Sequence, residues 1–456
     1  MQKILLFIAS LFYFNFLFSK NEIKSWQGIH ETPLSRLEQQ FAEPPVEFAN
    51  HVIWGWEGKM DKKTICNDLD SIKKKGFRAV IFEAGYKLPF KYLSEEWFKA
   101  IRTGVVEAKK RDMKVWIIDE GKYPSGFAGG KFSQERPDLR MQALVIGDTI
   151  QIKRGEVMTN HKIAPEIISA VAVSTSGAPN RTVEINNGKI SFNAGLDDWK
   201  ILLVKSDFRT AVTRAVNNPN GGKDATNSLC DYLNPVAVQQ FIDWTHKQYK
   251  KYLGKELGTT VLGFRGDEPD YAHLPWTPSI VQTFKDTKGY DPTPYLASFF
   301  TASPTIQEQR VKADYWDVWS SLFATHFFKL QADWCAANGV AHITHLNKEH
   351  EMPACVKAEG DYFRALSKVQ IPGVDAIWNQ IWPSTLNDFP KLASSVAHVY
   401  GKPRAFSESF AAYHISPTIP QAKFVVDHQI ARGINFFEFM FWLAGSKHRN
   451  WMSDPG

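Results

Sequence analysis

Eight short apolar runs, set among stretches with helical spacing, restrict this chain to few folds. The runs are "HVIWGWEG" (51–58), "FRAVIFEAGY" (77–86), "MKVWIIDE" (113–120), "TTVLGFRGDEP" (259–269), "VAHITHLNKE" (340–349), "VDAIWNQIWP" (374–383), "KPRAFSESFAAY" (402–413) and "INFFEFMFW" (434–442). After the first two come "DKKTICNDLDSIKKKG" and "SEEWFKAIRTGVVEAKKRD", both with helical spacing. "NPVAVQQFIDWTHKQYKKYLG" opens on Asn-Pro and closes on Gly, the start and stop signals of one helix. A long helix is expected over about 305–338, where Trp316, Trp319, Phe323, Phe327, Leu330 and Trp334 recur at steps of three to four. Strands alternating with helices imply βαβ units and a parallel sheet, and eight of them fit a (β/α)8 barrel. Only "LAGSKHRNWMSDPG" follows the eighth run, too little for a good eighth helix.

The rhythm changes between the third and fourth runs. "QALVIGDTIQIKRGE", "ISAVAVSTSGAPN", "VEINNGKISFNAG" and "WKILLVKSD" are β-like and separated by turn signals such as "NNGK". An inserted antiparallel β-domain is expected over 138–215, with the barrel divided between 21–137 and 216–456. The first 20 residues, "MQKILLFIASLFYFNFLFSK", carry an early Lys and an apolar run followed by polar "NEIKSWQG", as secretory signal peptides do. The run is short for a membrane span, no later segment has the length and apolarity of one, and a secreted or periplasmic protein is expected. Cys66, Cys230, Cys335 and Cys355 are scattered without C-x-x-C spacing, so buried free thiols are expected rather than a structural zinc site. The net charge of +6 is spread along the chain, with no basic block longer than "IKKKGFR", which argues against a nucleic-acid partner.

Several of the eight runs end in acids: Asp119 and Glu120, Asp267 and Glu268, Glu408. In a (β/α)8 barrel these positions meet at the C-terminal mouth, where active sites lie. Converging carboxylates with aromatic side chains around them suit glycoside hydrolysis, in which one carboxyl group protonates the leaving oxygen and another activates water or attacks the sugar. Any single acid is as readily a helix cap or an arginine partner. His342 and His345 stand three apart on one strand and face opposite sides, which is poor zinc geometry; His345, near the strand end, is expected at the substrate. "YPSGFAGG" lacks the G-K-[ST] ending of a phosphate loop and fits a tight loop at a sugar site.

"WIIDEGKYPSGFAGG", "GDEP", "IPGVDAI" and "SSVAHVYGKPRAFSESFAAY…ARGINFFEFMFW" resemble, in order, blocks of glycoside hydrolase family 106, the α-L-rhamnosidases, over residues 54–442. The resemblance implies a catalytic (β/α)8 barrel with a β insertion, an inverting mechanism, a rhamnose-containing glycan as substrate and a calcium ion near its hydroxyls. It makes Glu268 and Glu408 the catalytic pair, with Glu268 the preferred acid and Glu408 the preferred base. Glu359 becomes a third candidate, as base, substrate contact or calcium ligand. Asp119, Glu120, Asp267, His345, Trp378, Tyr413 and Trp442 become substrate contacts. Family members usually continue into β-domains after the barrel, so the sequence is expected to be a fragment or a truncated product. A glycosidase of other sugar specificity and an inactive sugar-binding remnant are the competing readings.

Overall fold

In the computed structural model, the described residues are 33–444, apart from 86, 122, 211–212, 215–222, 225–227, 270, 272–273, 303, 386 and 414–416. The expected signal peptide and the segment after 444 lie outside them.

Eight parallel strands close into a barrel: β1 (His51–Trp56), β2 (Ala79–Ala84), β3 (Lys114–Ile118), β4 (Val261–Gly266), β5 (Ala341–Thr344), β6 (Ile371–Ala376), β7 (Phe406–Ser409) and β8 (Phe436–Leu443). Each pairs with its neighbours in sequence, and β8 pairs with β1. The helices between them begin on recognisable caps. Asp61 accepts from Thr64 N–H ahead of Lys62–Lys74, Ser94 from Trp97 N–H ahead of Glu95–Lys110, and Thr418 forms a capping box with Gln421 ahead of Ile419–Ile430. Their apolar faces bury Trp54, Trp56, Phe82, Trp97 and their neighbours on the outside of the strands.

The helix expected over 234–254 is in fact two, Pro235–Trp244 and His246–Leu253, broken at Thr245 (φ −113°, ψ −87°). The Thr245 hydroxyl donates to the Phe241 carbonyl, and the break turns the His246 ring into the core. The long helix over 305–338 is interrupted by a π segment at Phe323–Phe328, between Ile306–Leu322 and Lys329–Ala337. Phe323, Phe327 and Phe328 stay buried through it.

Between β3 and β4 the chain builds an antiparallel sheet from Gln142–Ile152, Ile167–Ser174, Arg181–Thr182 and Trp199–Phe208. Strand alternation gives this sheet two faces. Ile201 and Leu203 pack with Ile190, Phe192 and Trp199, whereas Leu202 and Val204 pack toward Phe127 and Tyr232 beside the barrel. A fifth strand, Pro275–Trp276, comes from after β4, so the sheet draws on chain outside 138–215. None of the eight barrel strands comes from the insertion.

Candidate active site

Alternation along the barrel strands stacks the site in layers. Ile53, Ile81, Trp116, Ile343, Phe406 and Phe436 fill the interior. Two glycines admit the large rings. A Cβ on Gly373 would lie 2.1 Å from the Phe406 ring, and one on Gly263 would lie 2.6 Å from the Trp116 ring and 2.1 Å from the Ala341 carbonyl oxygen. One inward step further up each strand the residues become charged: Arg265 above Gly263, Asp375 above Gly373, Glu408 above Phe406, and Glu438 above Phe436. Asp375, Glu408 and Glu438 stand in register across β6, β7 and β8. A register shift between Val261 and Gly263 re-phases β4, so that both Leu262 and Arg265 face inward.

Arg265 is fully buried and organises the layer. Its guanidinium meets Asp267 at 2.8 Å and Glu438 at 3.1 Å, and its third nitrogen pairs with Glu408. His345 lies against the same groups. Its Nε2 is 2.9 Å from Arg265 Nη2 and 3.4 Å from both an Asp267 and a Glu408 oxygen, while Nδ1 engages the Leu346 carbonyl at 2.8 Å. Burial lowers the pKa of such a ring, but bonds to Asp267, Glu349 and Glu408 outweigh it and push His345 well above its usual value. Burial alone would raise Asp267; the Arg265 charge and His345 hold it well below the usual carboxylate range.

The remaining acids behave oppositely. Burial, then the Asp267 charge, push Glu268 up to about 8, and a hydrogen bond to Asp375 only partly opposes this. Asp375 itself is raised well above its usual value by burial and by the Glu408 charge. Burial pushes Glu438 up to about 7 against the pull of Arg265. Polar atoms of Glu268, His345 and Asp375 lie within 4.8 Å of one another, as do those of Asp267, His345 and Glu408. Glu268 and Glu408 therefore converge on one imidazole, from the ends of β4 and β7. The backbone at this rim is strained: Glu268 (φ 37°), Trp378 (φ 53°), Phe410 (φ 77°) and Ala412 (φ 50°) are left-handed without being glycine.

Asp119 belongs to this centre through Ser125, whose hydroxyl lies 2.6 Å from the Asp119 carboxylate and 2.6 Å from the Asp267 N–H. Burial raises Asp119 well above its usual value. Glu120 points elsewhere. Its oxygens accept the N–H groups of Gly121, Ala128 and Gly129, so the carboxylate closes the glycine-rich loop on itself and is not placed to hold sugar hydroxyls. Tyr413 is buried against Phe410 and Trp382, with its hydroxyl on the Ile381 carbonyl. Trp442 packs with the aromatic layer outside the barrel, opposite Trp54. Both were expected as sugar contacts; the Tyr413 ring is instead taken up by the core, and Trp442 lies partly buried on the outer side of the barrel wall. Trp378 is 59% exposed just past β6 and remains available to a sugar ring.

Glu359 is buried at the end of the helix Met352–Glu359, accepting the Asn347 N–H at 3.3 Å. Calcium takes six to eight oxygen ligands. Among the described residues Glu359 belongs to none of the groups of three side chains that converge as an ion site, and both groups at the mouth include the His345 nitrogen. These side chains do not make an all-oxygen set. Arg265, Asp375 and Glu438 escaped assignment from sequence; Asp375 and Glu438 each stand two residues beyond an interior position, whereas the irregularity in β4 hides the phase of Arg265.

The fold agrees with comparison to known proteins. Residues 164–443 match the family model of glycoside hydrolase family 106, described as alpha-L-rhamnosidase. The chain belongs to this family. Its architecture also matches the structure of a rhamnosidase from Novosphingobium sp. PP1Y, with a TM-score of 0.68 at 15% identity, over 91% of this chain and 56% of that one. A curated protein of Formosa agariphila, named "Putative beta-glucuronidase", is 23% identical over 480 residues, covering 93% of this chain and 39% of that one. The family 106 chain thus spans about two fifths of one relative and just over half of the other.

Proposed function

We propose that this mouth hydrolyses the glycosidic bond of a terminal α-L-rhamnosyl residue with inversion. The carrying observation is the contrast between two carboxyl groups that share His345. Glu268, pushed up to about 8, holds its proton at neutral pH and suits the acid that protonates the leaving oxygen. Glu408 rests against the Arg265 guanidinium and suits the base that takes a proton from the attacking water. The water oxygen bonds to the anomeric carbon as the bond to the leaving oxygen breaks, and the proton from Glu268 completes the released alcohol.

The family description and the name of the Formosa relative point to different sugars. The mouth favours the neutral one. A glucuronate brings its own carboxylate, and among the described residues the arginine of this centre, Arg265, is already engaged by Asp267, Glu408 and Glu438. Exo action on a rhamnose-containing glycan is part of the proposal and rests on the family. Export rests on the apolar leader and is checked by cell fractionation. Calcium at Glu359 is checked by equilibrium dialysis; the acid–base reading does not depend on it.

The test is incubation with an aryl α-L-rhamnoside and an aryl β-D-glucuronide, with the first-formed anomer followed by proton NMR. Release of β-L-rhamnose from the first substrate alone supports the proposal. Hydrolysis of the glucuronide alone, or release of α-L-rhamnose first, overturns it. Rhamnose binding without turnover means an inactive sugar-binding remnant.

A further inference from the structure

Outside the mouth, three buried side chains from three elements converge behind β5. His342 lies on its outward face, between the inward Ala341 and Ile343. Cys335 comes from the helix Lys329–Ala337, and His246 from the helix that starts after the break at Thr245. One nitrogen of each histidine and the cysteine sulfur lie within 4.8 Å of one another. All three residues are at most 1% exposed.

Three of their four imidazole nitrogens lack a partner. His342 Nδ1 and Nε2 and His246 Nε2 are buried without a hydrogen-bond partner. Buried polar groups are normally paired, so three orphaned nitrogens around one thiol call for an explanation. The tautomer of His246 is fixed by its neighbour. The single Thr245 hydroxyl proton is spent on the Phe241 carbonyl at 2.7 Å, so the hydroxyl oxygen, 2.9 Å from His246 Nδ1, accepts from Nδ1–H. The Nε2 lone pair is then free. A ring held by its second nitrogen in this way is how proteins orient metal-ligating histidines. Phe264 lies 4.2 Å and Trp334 5.3 Å from the His246 ring, and the converging group contains no carboxylate.

We propose that His246, Cys335 and His342 bind a thiophilic d10 cation, Zn2+ or Cu+, in the layer between β5 and its covering helices. One sulfur and two imidazole donors select against hard cations such as calcium and magnesium. Tetrahedral zinc holds such donors about 3.3–3.7 Å apart, which a small inward shift of these side chains satisfies. Both imidazoles are neutral, since burial lowers His342 to about 3 and His246 well below its usual value. Burial raises the Cys335 thiol, so the ion has to displace its proton on binding, and loading tightens as pH rises. The ion would fasten the helix break at Thr245 and the helix bearing Cys335 to the strand that leads, three residues after His342, to His345 of the active site.

The chain is stripped with chelator, loaded with Zn2+ or with Cu+ under reducing conditions, desalted and assayed for metal by mass spectrometry. Expected is one ion per chain, lost in Cys335→Ser and in His246→Phe, together with a rise in melting temperature on loading that the variants lack. Cobalt(II) substitution supplies a second readout: a sulfur-to-cobalt charge-transfer band in the parent, absent from folded Cys335→Ser. No bound ion and no such band in the parent, or full metal retention in Cys335→Ser, would overturn the site.

Discussion

Replacing Arg265 by Met should be the most costly single change in the barrel, and its cost should depend on pH. The guanidinium is fully buried and meets three carboxylates, Asp267, Glu408 and Glu438. Met keeps much of the length and apolar stem but leaves those groups facing one another, with His345 as the nearest remaining cation. Breaking a buried charge pair costs about 3–5 kcal/mol. That is a large part of the roughly 5–15 kcal/mol that holds a domain folded. The sign with pH follows from Asp267. In the parent its pKa is held below the unfolded value of 3.8, so it contributes stability above that pH and loses it as pH falls toward the folded value. In Arg265→Met the contribution is gone, and the stranded carboxylates escape repulsion only by taking up protons. The deficit should therefore be near its full size at pH 8 and shrink by at least about 1 kcal/mol at pH 5, roughly the worth of one pKa unit. Urea titrations followed by far-UV circular dichroism at both pH values give the two differences. A loss below about 1 kcal/mol, or the same loss at both, would refute the view that Arg265 neutralises this centre.

Three other outcomes follow from the same geometry. Glu408→Gln should fold like the parent and lose roughly two to four orders of magnitude in kcat on an aryl α-L-rhamnoside, measured with equal folded amounts; more than about a tenth of the parent rate would remove it from the catalytic pair. Trp378→Ala removes an exposed ring at the rim, so KM should rise roughly fivefold, about 1 kcal/mol, with kcat nearly unchanged; an unchanged KM would take the ring out of sugar binding. Glu268 and Glu438, with folded values of about 8 and about 7, each contribute stability that is complete below their unfolded value of 4.5 and lost as pH rises through the folded one, so urea midpoints should decline between pH 5 and pH 8. A midpoint that rises across that window would contradict the burial of those two groups.

The barrel was legible because the strands appear as apolar runs set among stretches with helical spacing, and three of those runs end in acids. Glu408 was legible in more detail, since alternation from Phe406 places it inward above a ring that does lie in the interior. The alternation ends at Ser409, and Phe410, in left-handed backbone, packs into the outer cluster instead. The same counting from Phe436 would have found Glu438. It would have failed for Arg265, because the irregularity in β4 re-phases the strand and no residue type announces it. Tyr413 and Trp442 show that a ring near a strand end is as useful to the core as to a sugar. Glu120 shows the same limit for acids, since its charge is answered by backbone N–H groups of the loop that follows it. The break at Thr245 lies in a stretch with neither Gly nor Pro, and the meeting of His246, Cys335 and His342 depends on that break. Scattered spacing in sequence is therefore no guide to whether such donors converge.

The division of labour between Glu268 and Glu408 is tested most directly by leaving-group dependence. Rates of the parent, Glu268→Gln and Glu408→Gln are compared on two aryl α-L-rhamnosides, one with an acidic phenol that needs no protonation and one with a poor leaving group. If Glu268 is the acid, Glu268→Gln loses at least about a hundredfold on the poor leaving group and far less on the activated one, while Glu408→Gln loses by a similar factor on both. The parent rate should also fall as pH rises through about 8, and that limb should vanish in Glu268→Gln on the activated substrate. Equal losses for Glu268→Gln on the two substrates, with the alkaline limb retained, would contradict the assignment.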